Sequence, residues 1–73
     1  MEEELFLKKL GERINSLRIE QNKSQTSLAE EVEVDRTTIH RILKGEINFS
    51  IKIIRKIAIA LNIELWQLMK FQD

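Results

Sequence analysis

The feature that most restricts this chain is its lack of backbone punctuation: in 73 residues there is no proline, and only Gly11 and Gly45 supply glycine. A fold of many short strands needs a turn every few residues, and the residues that build such turns are missing. Glu, Lys and Leu, all good helix formers, are frequent instead. The expected class is all-α. At this length one small core is possible, burying roughly 60% of the extended chain's surface, so residues 1–73 are expected to form a single domain. No cysteine is present, so neither a disulfide nor a thiolate metal site can stand in for packing. Hydrophobic residues at 42% and charged residues at 33% fit a soluble globular chain rather than a disordered one. A core this small leaves no room for a buried substrate pocket, so a binding module is expected rather than an enzyme, with no small-molecule substrate.

The longest apolar run, Ile57-Ala58-Ile59-Ala60-Leu61, is too short to cross a membrane. The start, Met1-Glu2-Glu3-Glu4, is acidic where a secretory signal requires basic residues, so a cytoplasmic protein is expected. The formal net charge is zero, but its distribution is uneven. Residues 1–35 carry −4 and residues 57–73 carry −1, whereas residues 36–56 carry +5 from Arg36, Arg41, Lys44, Lys52, Arg55 and Lys56 against Glu46 alone. One basic segment lies between acidic neighbours. By itself such a run is as readily a solvated helix face as a polyanion site.

Leu7, Leu10, Ile14 and Leu17 recur at three- and four-residue steps and predict an amphipathic first helix over 4–21. Ser24 is placed to cap a second helix over about 25–32, with Leu28, Ala29 and Val32 inward. Asp35 caps a third, with Ile39, Ile42 and Leu43 inward, and Gly45 ends it in the left-handed conformation. Ser50 caps a fourth that runs to Leu61 and is stopped by Asn62; Glu64 to about Phe71 forms a short fifth. The stretch Ile57, Ile59, Leu61, Ile63, Leu65 alternates as a strand would, yet Ile54, Ile57, Ala58, Leu61 and Leu65 also share one helical face. The interleaved Ala58 and Ala60, and the absence of turn residues from 50 to 61, favour helix.

The informative run is Gln25 to Lys44. Two short helices joined by a tight link must cross steeply, and Ala29 supplies the small residue at the crossing. The second is then free to present Arg36, Thr37, His40 and Arg41 outward, the arrangement that a recognition helix needs in a major groove. This run resembles the helix-turn-helix of the phage repressor and Cro family, also called the xenobiotic response element (XRE) family. The resemblance spans roughly residues 10–69, carried by Arg13-Ile14, Leu17-Arg18, Ser24-Gln25, Leu28-Ala29-Glu30, Val34-Asp35-Arg36-Thr37-Thr38-Ile39, Lys44-Gly45, Ile57-Ala58 and Leu61-Asn62-Ile63. Asp35-Arg36-Thr37 and Asn48-Phe49-Ser50-Ile51 are also similar to controller proteins of restriction–modification systems. The resemblance implies a compact five-helix, lambda-repressor-like domain with the helix-turn-helix at about 25–44. It further implies a bacterial or phage-type regulator of transcription, a repressor or autoregulator, acting as a homodimer on a palindromic double-stranded operator without a cofactor.

Two departures stand out. The family usually has glycine where this chain has Glu33, and a non-glycine residue held left-handed costs on the order of 1 kcal/mol. It also commonly carries a glutamate at the position of Leu43, paired with the arginine at the position of Arg18. Here the arginine remains without that partner and must turn to solvent, another acid or a phosphate.

Among the resemblance-derived sites, Gln25 is expected to bond a phosphate and buttress the recognition helix. Arg36 and Arg41 have the guanidinium fork that takes both O6 and N7 of guanine. Thr37 and Thr38 offer hydroxyls and methyls, Lys44, Asn48 and Lys52 are phosphate candidates, and His40 is an outward polar residue. No metal is expected at His40, the only histidine of a chain without cysteine. Leu65, Trp66, Met69 and Phe71 crowd the C-terminal end and are candidates for a dimer patch, Leu68 lying among them. A second reading keeps this fold but binds a protein instead, as an antitoxin-like or adaptor module using the acidic first helix and the last helix.

Overall fold

Three helices of this chain begin where a short polar side chain satisfies an orphan backbone N–H. In the computed structural model, which describes residues 2–70, the order is α1 (Glu3–Glu20), α2 (Gln25–Val32), α3 (Arg36–Leu43), α4 (Ile51–Ala60) and α5 (Leu65–Leu68). Ser24 Oγ accepts from the Ser27 N–H at 2.9 Å, Asp35 Oδ1 from Thr38 at 2.7 Å and Ser50 Oγ from Ile53 at 3.2 Å, the three caps predicted from the sequence. Glu2 does the same for α1, accepting from the Leu5 N–H at 2.6 Å.

The four longer helices end alike. Asn22, Glu33, Gly45 and Asn62 have φ of 58°, 67°, 71° and 56°. In each case the next N–H reaches back five residues: Lys23 to the Arg18 carbonyl, Val34 to Ala29, Glu46 to Arg41 and Ile63 to Ala58, at 2.9–3.0 Å. This closes carbonyls that the helix itself leaves open. Asparagine and glycine are the ordinary occupants of such a position; Glu33 is the exception anticipated above.

The core is built from Leu10 and Ile14 of α1, Leu28, Ala29 and Val32 of α2, Ile39, Ile42 and Leu43 of α3, Ile54, Ile57 and Ala58 of α4, then Leu61 and Leu68. The strand-or-helix ambiguity of the fourth segment is settled as helix. Ile57, Ala58 and Leu61 are buried while Ile59 is 75% exposed, which no two-residue alternation would give. Gly11 is the hidden element of the packing. A Cβ there would lie 2.5 Å from the Leu43 carbonyl oxygen and 2.6 Å from that of Ile42, so α1 and α3 touch backbone to backbone. At Gly45 a Cβ would meet Lys8 Cα at 2.6 Å.

The fifth helix is shorter than expected, ending at Leu68 rather than near Phe71. Past Leu68 the Lys70 N–H donates only three residues back, to the Gln67 carbonyl at 3.2 Å, and Arg13 Nη2 of α1 donates to the same oxygen at 3.2 Å. Phe71 lies outside the described residues.

Candidate nucleic-acid interface

The third helix has two unlike faces. Ile39 and Ile42 are fully buried and Leu43 nearly so, pinned by α1 and α2, while Arg36, Thr37, His40, Arg41 and Lys44 are exposed. At 3.6 residues per turn these five fall within an arc of roughly 140°. The row predicted from sequence therefore lies on one side of one helix. Thr38 is half-buried at the edge of that arc, its backbone N–H held by Asp35.

Gln25 opens α2 and is half-buried; its Oε1 lies 3.3 Å from His40 Nδ1, linking the start of α2 to the row on α3. Asn48 is exposed in the loop after α3 and its Oδ1 accepts from the Phe49 N–H at 2.9 Å. Lys52 is exposed in the first turn of α4, and Lys44 lies at the end of α3 beside Lys8, Glu12 and Glu46.

Folding divides the linear basic segment. Lys56 is engaged by Glu33 at 2.8 Å, and Arg55 lies beside Ile59, Asn62 and Leu65. That leaves Arg36, Arg41 and Lys44 on α3 with Lys52 at the head of α4. The hydrogen bond and charge of Lys56, with Lys52 adding to them, hold the Glu33 carboxyl below its ordinary pKa. The hydrogen bonds from Thr38 do the same for Asp35. Both shifts favour the charged carboxylate.

The arginine left without its acid has a different solution from the three considered. Arg18 Nε and Nη2 donate to Asn15 Oδ1 at 3.1 and 2.7 Å, and Nη1 donates to the Lys23 carbonyl at 2.8 Å. A neutral amide and a backbone oxygen replace the missing carboxylate, and Leu43, in its place, is 8% exposed and joins the core. Arg18 thereby ties α1 to the loop leading into α2. Asn15 was not legible as its partner, although i and i+3 positions on a helix do face each other.

At the far end, Leu65 and Met69 are partly buried against the core and Leu68 is fully buried. Trp66 is 62% exposed. Ile59, not singled out from sequence, is exposed on the neighbouring α4. Among the described residues no group of acidic, histidine or cysteine side chains could hold a metal, and no helix is long and apolar enough to cross a membrane.

Comparison with known proteins places this geometry. Residues 14–65 match the helix-turn-helix family profile. The restriction-modification controller protein C.AhdI of Aeromonas hydrophila is similar at 37% identity, with 85% of this chain and 94% of that one covered and a TM-score of 0.82. A hypothetical transcription factor of Neisseria, NHTF, is similar at 28% identity, covering 90% of this chain and 75% of that one, with a TM-score of 0.82. The clp gene regulator ClgR of Corynebacterium glutamicum, at 19% identity, shares the fold with a TM-score of 0.85 over 88% of this chain and 68% of that one. No sequence among curated proteins matches. The profile covers most of the chain, the controller protein aligns over nearly its own full length, and the five-helix arrangement agrees with both: the protein belongs to the helix-turn-helix family of DNA-binding transcription regulators, of the phage repressor and Cro (XRE) type.

Proposed function

We propose that residues 1–73 act as one unit that reads double-stranded DNA sequence-specifically, laying α3 in the major groove as a repressor or autoregulator. The observation that carries this is the exposed row Arg36, Thr37, His40, Arg41 on a helix whose opposite face is wholly buried. Arg36 and Arg41 reach base edges, with guanine the natural partner of the guanidinium fork. Thr37 and Thr38 supply hydroxyl and methyl contacts, while Gln25, Lys44, Asn48 and Lys52 grip phosphates and fix the register. Similarity to a restriction-modification controller protein supports a role as such a controller. Exposed Trp66 and Ile59 support a two-fold dimer about the C-terminal end, placing two copies of α3 about 34 Å apart on a palindrome.

The test is selection of genomic fragments by the purified protein. Enrichment of a palindrome is expected. On that site Arg36→Ala costs about 1–3 kcal/mol and relaxes preference at particular base pairs. Lys44→Ala weakens all sequences alike and lowers the salt slope by roughly one. Sedimentation gives a dimer that Trp66→Ala weakens. Equal loss on selected and random DNA for Arg36→Ala would reduce that residue to positioning. No enrichment of any fragment would favour a protein-binding module instead, a reading that the zero net charge and the exposed Trp66 make the natural second choice.

A further inference from the structure

We infer that His40 is a positioning residue for Gln25: its imidazole holds the glutamine amide with the NH2 group turned toward the DNA backbone, so that the phosphate contact at the head of α2 depends on a side chain of α3. The inference rests on the DNA-binding reading above and assigns His40 a specific task within it.

The contact, Nδ1 to Oε1 at 3.3 Å, joins residues fifteen apart in sequence, on the two helices of the helix-turn-helix. His40 is exposed, and an exposed neutral pair that water could satisfy equally well adds little to folding. Its effect is on orientation. A glutamine amide has an accepting end and a donating end, whereas a phosphate oxygen only accepts. With Oε1 engaged by His40, Nε2 is the end left to meet a phosphate; the reversed amide would oppose oxygen to oxygen. Nδ1 can serve only when it carries a proton, as the Nδ1–H tautomer or as the imidazolium. With the proton on Nε2 alone, Nδ1 accepts and draws the amide NH2 away from the DNA. The tautomer of His40 and the orientation of Gln25 are therefore one variable. His40 also lies one turn from Arg36 on the exposed row, so the same helix that presents the arginines sets the neighbouring phosphate contact.

The experiment measures anisotropy on a random-sequence duplex at low salt for wild type, His40→Phe, His40→Asn, Gln25→Ala and the double variant Gln25→Ala/His40→Phe. Nitrogen NMR of the imidazole in the free wild-type and Gln25→Ala proteins accompanies it. His40→Phe is expected to weaken binding by about two- to tenfold, the range of one neutral hydrogen bond. His40→Asn, whose amide can donate from nearly the place of Nδ1, restores most of that loss. The double variant binds no more weakly than Gln25→Ala. In the free protein the imidazole carries its proton on Nδ1, and Gln25→Ala shifts it toward Nε2. An equal loss from His40→Phe with and without Gln25 would mean that His40 touches DNA itself and would overturn the inference. So would an Nε2–H tautomer indifferent to Gln25→Ala. If wild type binds no duplex at all, the DNA-binding reading falls and this inference with it; if wild type binds and His40→Phe matches it, only this inference falls.

Discussion

The two ends of α3 are held by different means. Its C-terminal end is seated on α1 through backbone atoms: Gly11 lies under the carbonyls of Ile42 and Leu43, and Gly45 lies against Lys8, with no room for a Cβ at either. Its N-terminal end is reached through the exposed Glu33, a left-handed residue tied by its side chain to Lys56, and is capped by the Asp35 side chain, which accepts from the Thr38 N–H. Backbone contacts cannot rotate away, whereas exposed side-chain contacts can be exchanged for water. The C-terminal end is thus fixed by close backbone approach to α1, while the N-terminal end is set by side chains together with one backbone bond, Val34 N–H to the Ala29 carbonyl.

The sharpest way to break that contrast is Gly11→Ala. A methyl group 2.5 Å from a backbone oxygen forces α1 and α3 apart, at a cost at or beyond the upper end of the about 1–3 kcal/mol typical of overpacking. Urea titration would expose a merely neutral effect and with it a looser crossing than described. Gly45→Ala comes next, losing about 1–2 kcal/mol from the left-handed backbone alone, with the contact to Lys8 added. Gly45→Asn is expected to be as harmful, because its Cβ meets the same Lys8 backbone. Asn22→Gly and Asn62→Gly, at the exposed ends of α1 and α4, should stay within about 0.5 kcal/mol.

The opposite sign is expected at the other end. Glu33→Gly relieves a left-handed non-glycine residue and gives up only a surface ion pair, so the melting temperature rises, by less than Gly11→Ala lowers it. A fall on calorimetry would mean that Lys56 outweighs the strain. The smallest effect concerns acid. The folded-state pKa values of Glu33 and Asp35 are both lowered, so their contribution is complete above the ordinary carboxylate range and disappears as pH falls through the lower folded-state values. Melting temperature should therefore decline from about pH 5 downward, with a shallower slope in Glu33→Gln.

What the sequence revealed was local. Ser24, Asp35 and Ser50 announce helix starts because a cap bonds within three residues, and Asn62 and Gly45 announce ends for the same reason. The outward row Arg36, Thr37, His40 and Arg41 was legible from helical period. Gly11 was not, since its need arises from a helix thirty residues away, though a lone glycine inside an amphipathic helix is itself a signal of close approach. The charge run stayed open in the sequence for a similar reason: Arg55 and Lys56 are neighbours in the chain, but in the fold Lys56 meets Glu33 while Arg55 lies beside Leu65. Contacts between elements, unlike contacts within them, leave no fixed spacing in the chain.

The backbone seat of α3 on Gly11 has a consequence for how such a protein can change. Ile39, Ile42 and Leu43 anchor the helix from within, and the two carbonyls over Gly11 fix its C-terminal end, so none of the exposed side chains at 36, 37, 40, 41 and 44 is required to keep α3 in place. Those five positions form an interchangeable cassette on a fixed mount. They can drift, or be rewritten together by an engineer, to face a different ligand while the remaining residues continue to fold as before.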